Sequence, residues 1–139
     1  MIKARDIHKY YKNGKEDIHV LKGIDLQIAK GEIAAILGPS GAGKSTLLHI
    51  LGGLDQPSKG QVSFEGNSLW ELPQNELSGI RNRLIGFVFQ FYHLLPEFTV
   101  LENVLLPALI DKNRNTKEKK EKAEALLSSF GLENRAGHF

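Results

Sequence analysis

A chain of 139 residues, 41% hydrophobic and 24% charged, has room for one domain with its own core, or for part of a larger one. Its net charge of +2 forces no nucleic-acid partner; the densest basic run, residues 117–122, interleaves Glu118 and Glu121 and is expected to form a solvated helix face. Without cysteine there is no disulfide framework and no thiolate metal site, and no apolar run approaches the length of a membrane span, so the chain is expected to be soluble and to reach a membrane only through a partner.

In chain order, residues 2–11 and 20–28 read as strands, with Lys12, Asn13, Gly14 and Lys15 as a hairpin between them. Gly31 then turns the chain into an apolar run, Ile33, Ala34, Ala35, Ile36 and Leu37, that reads as a buried strand. That run delivers Gly38-Pro39-Ser40-Gly41-Ala42-Gly43-Lys44-Ser45-Thr46, a full match to the phosphate-loop pattern G-x-x-x-x-G-K-[ST]. Leu47, Leu48, Ile50 and Leu51 leave it with helical spacing. Glycines at 38, 41 and 43 let the backbone curl so that successive N–H groups point at phosphate oxygens. Lys44 can place an ammonium against the outer phosphates, Ser45 can ligate a bridging magnesium ion, and the helix dipole adds to the field. The bland alternative is a glycine-rich turn before a core helix, but the strand and helix flanks are those the motif requires.

Gly52-Gly53 and residues 56–60 punctuate the chain, and residues 61–65 alternate as a short strand. Residues 73–83 form a weak helical pattern, and the apolar run over residues 84–89 has buried-strand character and stops at Gln90. Thr99-Val100-Leu101-Glu102 has the spacing of a capping box, so a helix is expected from Thr99, disturbed at Pro107. A second helix is expected over residues 116–130, with Ala123, Leu126, Leu127 and Phe130 on one face and Gly131 ending it. The strands suggest an α/β fold with an antiparallel sheet beside a partial parallel core.

In order and spacing, Val20-Leu21-Lys22-Gly23-Ile24, the phosphate loop, Ile50-Leu51-Gly52-Gly53-Leu54-Asp55, Ile85-Gly86-Phe87-Val88-Phe89-Gln90 and Thr99-Val100-Leu101-Glu102-Asn103-Val104 resemble the N-terminal part of an ABC transporter ATPase. The likeness is nearest the subgroup serving lipoprotein release, macrolide-type export and the cell-division transporter. It implies a P-loop NTPase fold of the ABC ATPase type, with the antiparallel β subdomain and part of the parallel core sheet. It implies ATP and Mg2+ as cofactors, with residues 38 and 40–46 holding the nucleotide. By position, Tyr11 resembles the aromatic that stacks on adenine, with Tyr10 leaving a register ambiguity. Gln90 resembles the glutamine that reaches both the magnesium shell and the attacking water, so Lys44 and Gln90 become the catalytic candidates and Ser45 and Gln90 the metal candidates. The partners implied are membrane subunits and a second ATPase domain facing the first head to tail, at the inner face of the cell membrane.

The apolar segment Phe91-Tyr92-His93-Leu94-Leu95-Pro96-Glu97 is either a packed loop or, as the resemblance implies, part of the groove for a membrane-subunit helix. The subgroup often has glutamine where Phe91 stands. Three parts of the family pattern do not occur: the LSGGQ signature, the aspartate strand followed by a catalytic glutamate, and the switch histidine. Leu77-Ser78-Gly79-Ile80 imitates the first, and Ala108-Leu109-Ile110-Asp111, followed by Lys112, imitates the second. His8, His19, His49, His93 and His138 show no metal-ligand spacing. The 139 residues are therefore expected to be the N-terminal part of a longer protein, to bind ATP without efficient turnover, and to self-associate through unpaired strand edges. Two other readings are a different P-loop enzyme, for which no N-K-x-D guanine motif is present, and a non-catalytic nucleotide-dependent interaction module.

Overall fold

A computed structural model of the chain describes residues 1–14, 16–110 and 115–139. They divide into two compact units, Met1–Arg81 and Asn82–Phe139. Among the described residues no helix is long and apolar enough to cross a membrane.

The first unit is built on a four-stranded antiparallel sheet in the order β2-β1-β3-β4. Strands β1 (Ile2–Asn13) and β2 (Glu16–Ile28) form a long hairpin. It closes between Asn13 and Glu16, with Gly14 at φ +63°; the hairpin expected at residues 12–15 is present, with both strands longer than the pattern suggested and Lys15 outside the described residues. Strand β3 (Lys59–Phe64) pairs with the other edge of β1, and β4 (Asn67–Ser68) pairs with β3. Along β1 the register slips on both sides around Asp6, which sits at φ +48°. An Asp tolerates that conformation better than most residues, and its N–H donates to Asp25 Oδ1 at 3.0 Å.

Helix α1 (Lys44–Leu51) lays Leu47, Ile50 and Leu51 on the sheet, where Ala4, Ile7, Leu21 and Val62 meet them. Leu69 and Leu77 complete the core, Leu77 coming from helix α2 (Gln74–Leu84). Gly53 ends α1 at φ +71°, with its N–H on Ile50 O and the Leu54 N–H on His49 O, the paired bonds that close a helix through a left-handed glycine. Gly53 O accepts from Arg81 at 3.0 Å, and Arg81 also donates to Ser78 Oγ. Residues 77–80 thus lie inside α2 as core and scaffold, not as a signature loop.

In the second unit, helix α3 (Val100–Leu109) starts as its sequence demands. Thr99 Oγ1 accepts from the Glu102 N–H at 3.3 Å, and Glu102 Oε2 accepts from the Thr99 N–H at 2.8 Å. The Thr99 N–H and the Thr99 hydroxyl, which also donates to Glu102 Oε2 at 2.8 Å, hold the Glu102 carboxyl below its ordinary pKa, the backbone N–H contributing most. Pro107 does not end the helix, which runs on to Leu109, although a proline there removes one N–H donor from the helix ladder. Ala108 and Leu109 lie in its last turn, while Asp111 and Lys112, which completed the imitated aspartate strand, lie outside the described residues. Helix α4 (Thr116–Ser129) is capped by Asn115 and closed by Gly131 at φ +69°. Its buried stripe is Lys119, Ala123 and Leu127, whereas Leu126 and Phe130 are 49% and 72% exposed. Of the expected face, Ala123 and Leu127 are buried while Leu126 and Phe130 are not, and Lys119 is removed from the otherwise solvated run at 117–122. A long side chain can lay its methylenes along such a stripe.

Two expected core strands are not formed as strands. Residues 33–37 and 85–89 carry no sheet ladder, and Ile33, Leu37 and Val88 are almost wholly exposed. An apolar run expresses a preference for burial but cannot supply the neighbour whose N–H and C=O groups complete a ladder. Among the described residues no segment pairs with either run.

Candidate functional site

The phosphate loop owes its shape to glycines placed where the chain turns left-handed. Gly41 and Gly43 sit at φ +78° and +86°, and a Cβ on Gly43 would stand 2.9 Å from Leu21 Cδ2 and 3.0 Å from Val20 Cγ1, so the loop closes directly onto β2. The Ala42 N–H reaches Pro39 O at 3.3 Å. Gly43 caps α1 without any side-chain hydrogen bond, and no acidic residue lies in the first turn. The first N–H groups of α1 are thus not engaged by a capping side chain. Lys44 Nζ folds back over the loop, donating to Gly38 O at 2.9 Å and Pro39 O at 2.7 Å. Ser40, Ala42 and Ser45 are exposed, and Thr46 is half-buried. Backbone donors, an ammonium and a hydroxyl are gathered in one turn of chain, and these are the kinds of group with which proteins hold anions.

Tyr11 lies in β1 opposite Ile18, in the same unit as the loop. It is 41% exposed, and its hydroxyl donates to Asp55 Oδ2 at 2.8 Å. Tyr10, the rival by register, stacks on His19 with ring centroids 4.1 Å apart. Asp55 also accepts from Lys9 Nζ at 2.5 Å. Burial raises the Asp55 pKa, but the bonds from Lys9 and Tyr11 and the Lys9 charge outweigh it, and the carboxyl titrates below its ordinary 3.8. Sequence reading did not single out Lys9 or Asp55 for this site. They stand 46 positions apart, and nothing local announces that a strand and the end of a distant helix will meet.

Gln90 belongs to the second unit, where it is exposed at a bend. After it, Phe91, Tyr92 and Leu94 are 68%, 91% and 65% exposed, which goes against a packed loop. Leu94, Leu95, Pro96 and Phe98 line one side of an apolar groove of about 300 Å³, with Leu127 and Leu132 also in its wall. Its curvature is set by Asn103, whose side-chain amide donates to Leu95 O, Phe98 O and Thr99 O while its Oδ1 accepts from the Leu95 N–H. Only an amide carries donors and an acceptor together in that form. The sequence offered Asn103 within the 99–104 match but not this role.

The loop with its flanks is matched by the family model described as ABC transporter, over residues 21–138. The chain belongs to that family. Curated relatives include the "Lipoprotein-releasing system ATP-binding protein LolD" of Acinetobacter baylyi, 49% identical over 138 residues, and that of Bacteroides thetaiotaomicron, 51% identical over 138 residues. Each alignment covers 99% of this chain, and the chain spans about 60% of the length of these relatives. Among solved structures, the dimeric ATP-binding cassette MJ0796 bound to ADP and Pi superposes with a TM-score of 0.87 at 41% identity, over 99% of this chain and 61% of that one. A second dimeric structure of the same cassette, 42% identical, gives the same TM-score and coverage. The expected α/β P-loop fold of the ABC ATPase type is thereby established.

Proposed function

We propose that this chain is the ATP-binding portion of the ATPase subunit of an ABC transporter, and that it holds Mg-ATP between the phosphate loop and Tyr11. The observation that carries the reading is the loop itself, with Lys44 folded over Gly38 and Pro39 beside a helix start that no side chain caps. Residues 38 and 40–46 would surround the phosphates, with Lys44 exchanging its two carbonyl partners for phosphate oxygens and the Ser45 hydroxyl joining the magnesium shell. The bound cation would neutralise charge on the transferred phosphoryl group. Gln90 would approach that cation and the attacking water, and Tyr11 would offer a flat apolar face to the base.

The names of the curated relatives support lipoprotein release as the process served. The dimeric cassette structures support a pair of ATPase domains in the working assembly. The exposed aromatic segment at 91–94 and the groove beside it suit a membrane subunit, which would hold the protein at the inner face of the membrane. The 139 residues contain no LSGGQ signature and no catalytic glutamate after an aspartate strand, so by themselves they are expected to bind ATP with negligible turnover.

Titration with Mg-ATP tests the reading. Lys44→Ala should weaken binding roughly ten- to a hundredfold, the worth of charge-assisted bonds to phosphate. Unchanged affinity would overturn the site, and turnover at the rate of a full-length relative would overturn the expected lack of catalysis.

A further inference from the structure

We propose that Asp55 is a positioning residue which, together with Lys9, sets the orientation in which the Tyr11 ring receives a nucleotide base. This rests on the reading of Tyr11 as the base-stacking residue. Both oxygens of Asp55 are engaged, Oδ1 by Lys9 Nζ at 2.5 Å and Oδ2 by the Tyr11 hydroxyl at 2.8 Å. Lys9 Nζ also donates to Gln56 O at 2.7 Å and lies 5.1 Å from the centroid of the Tyr11 ring. The ring is therefore held at its strand backbone, at its hydroxyl tip and across one face. A tyrosine has two side-chain torsions; the bond at the tip holds the first, and because the hydroxyl oxygen lies on the axis of the second, the ring plane is biased instead by the Lys9 ammonium over one face. With the ammonium over one face, a base has the other face to stack on, and the 41% exposure of Tyr11 provides the room.

Asp55 is itself fixed at both ends. Its N–H and that of Leu54 donate to His49 O at 3.3 and 2.8 Å, inside α1. On the strand side, the Ser58 N–H donates to His8 O at 2.8 Å and the Tyr10 N–H to Ser58 Oγ at 3.0 Å. Helix α1 has eight residues, so it spans about 12 Å; it starts at Lys44 and ends at the segment that grips Tyr11. The separation of the base-stacking ring from the phosphate loop is thus governed by a helix and a carboxylate. Lys9 is only 11% exposed and its partner Asp55 is 32% exposed. Deleting the carboxylate leaves a nearly buried ammonium to seek another partner, and the ring loses its anchor.

A purely structural pair would stabilise the loop without discriminating between ligands, so the test compares ligands with and without a base. Isothermal titration of the 139-residue chain with Mg-ATP and with Mg-tripolyphosphate yields an affinity ratio for each variant. Tyr11→Ala is expected to lower that ratio roughly five- to a hundredfold, the range for one stacked base. Asp55→Ala should lower it by a smaller factor, roughly three- to tenfold, by freeing the ring without deleting it, and should add nothing in the Tyr11→Ala background. Asp55→Asn, which keeps the side-chain shape, guards against loss of folding. With a fluorinated tyrosine in place of Tyr11, fluorine relaxation of the ligand-free chain should show faster ring motion in both Asp55 variants, a readout that needs no nucleotide. If Tyr11→Ala lowers the ratio while both Asp55 variants keep the parent value and the parent ring motion, the positioning role is refuted and base stacking stands. If Tyr11→Ala leaves the ratio unchanged, base stacking fails and the positioning role falls with it.

Discussion

Gly60 and Gly66 share nearly the same backbone conformation, φ +90° and +87°, yet alanine at the two positions should have very different consequences. At Gly66 a Cβ would meet nothing within 4 Å, so the cost is the left-handed backbone alone. That conformation costs an L-residue about 1–2 kcal/mol, and the loss of chain freedom in the unfolded state returns about 0.4–1, leaving a destabilisation of about 1 kcal/mol. At Gly60 the same Cβ would stand 2.2 Å from Asp6 O and 2.5 Å from Arg5 O, and these are backbone atoms that cannot rotate aside. Relieving the overlap means moving β3 off β1 where Arg5 pairs with Gln61 and His8 with Lys59, at roughly 1 kcal/mol for each ladder bond lost. Gly60→Ala should therefore cost about 2–4 kcal/mol, against about 1 for Gly66→Ala. For a unit of the size of Met1–Arg81, 1 kcal/mol moves the melting temperature by about 4–8 °C. Thermal denaturation followed by circular dichroism should show a drop of about 8–32 °C for Gly60→Ala and about 4–8 °C for Gly66→Ala. Equal shifts would show that β1 and the start of β3 do not approach as described, and the placement of the segment carrying Asp55 would fall with them.

Thr99→Ala removes the acceptor for the Glu102 N–H and should destabilise the second unit by about 1 kcal/mol, measured by urea denaturation; no change would mean the capping box is not formed in solution. The Asp55 carboxyl has its folded pKa below the ordinary 3.8, so the stability it contributes is complete above the unfolded value and is lost as pH falls through the folded one. The melting-temperature gap between the parent chain and Asp55→Asn should accordingly narrow on acidification below about pH 4; a gap independent of pH would refute the ionised clamp. Exposed apolar side chains at Ile33, Leu37 and Val88, in segments without a ladder, should make the 139-residue polypeptide self-associate. Light scattering coupled to gel filtration checks this, and a monomer at all concentrations would contradict it.

The local features of this protein were determined by its sequence because they depend on neighbours a few residues apart. The phosphate loop, the capping box at Thr99, the glycine closures at Gly53 and Gly131 and the hairpin of β1 with β2 each follow from a side chain or a φ requirement within one turn of chain. Periodicity was less reliable where a partner had to be assumed. The runs at 33–37 and 85–89 are apolar as core strands are, but a ladder needs a second strand, and periodicity does not provide one. That α4 buries Lys119 and leaves Leu126 and Phe130 exposed likewise depended on what α4 packs against. Tertiary structure alone decided the clamp on Tyr11. It joins β1 to the end of α1 through Lys9 and Asp55, 46 residues apart, and depends on Gly60 allowing two backbones to pass at a distance no side chain permits. The loop at 38–46 can be written into nine consecutive residues because its shape rests on local φ requirements; holding the Tyr11 ring takes a charge pair that only the packing of a helix on a sheet brings together.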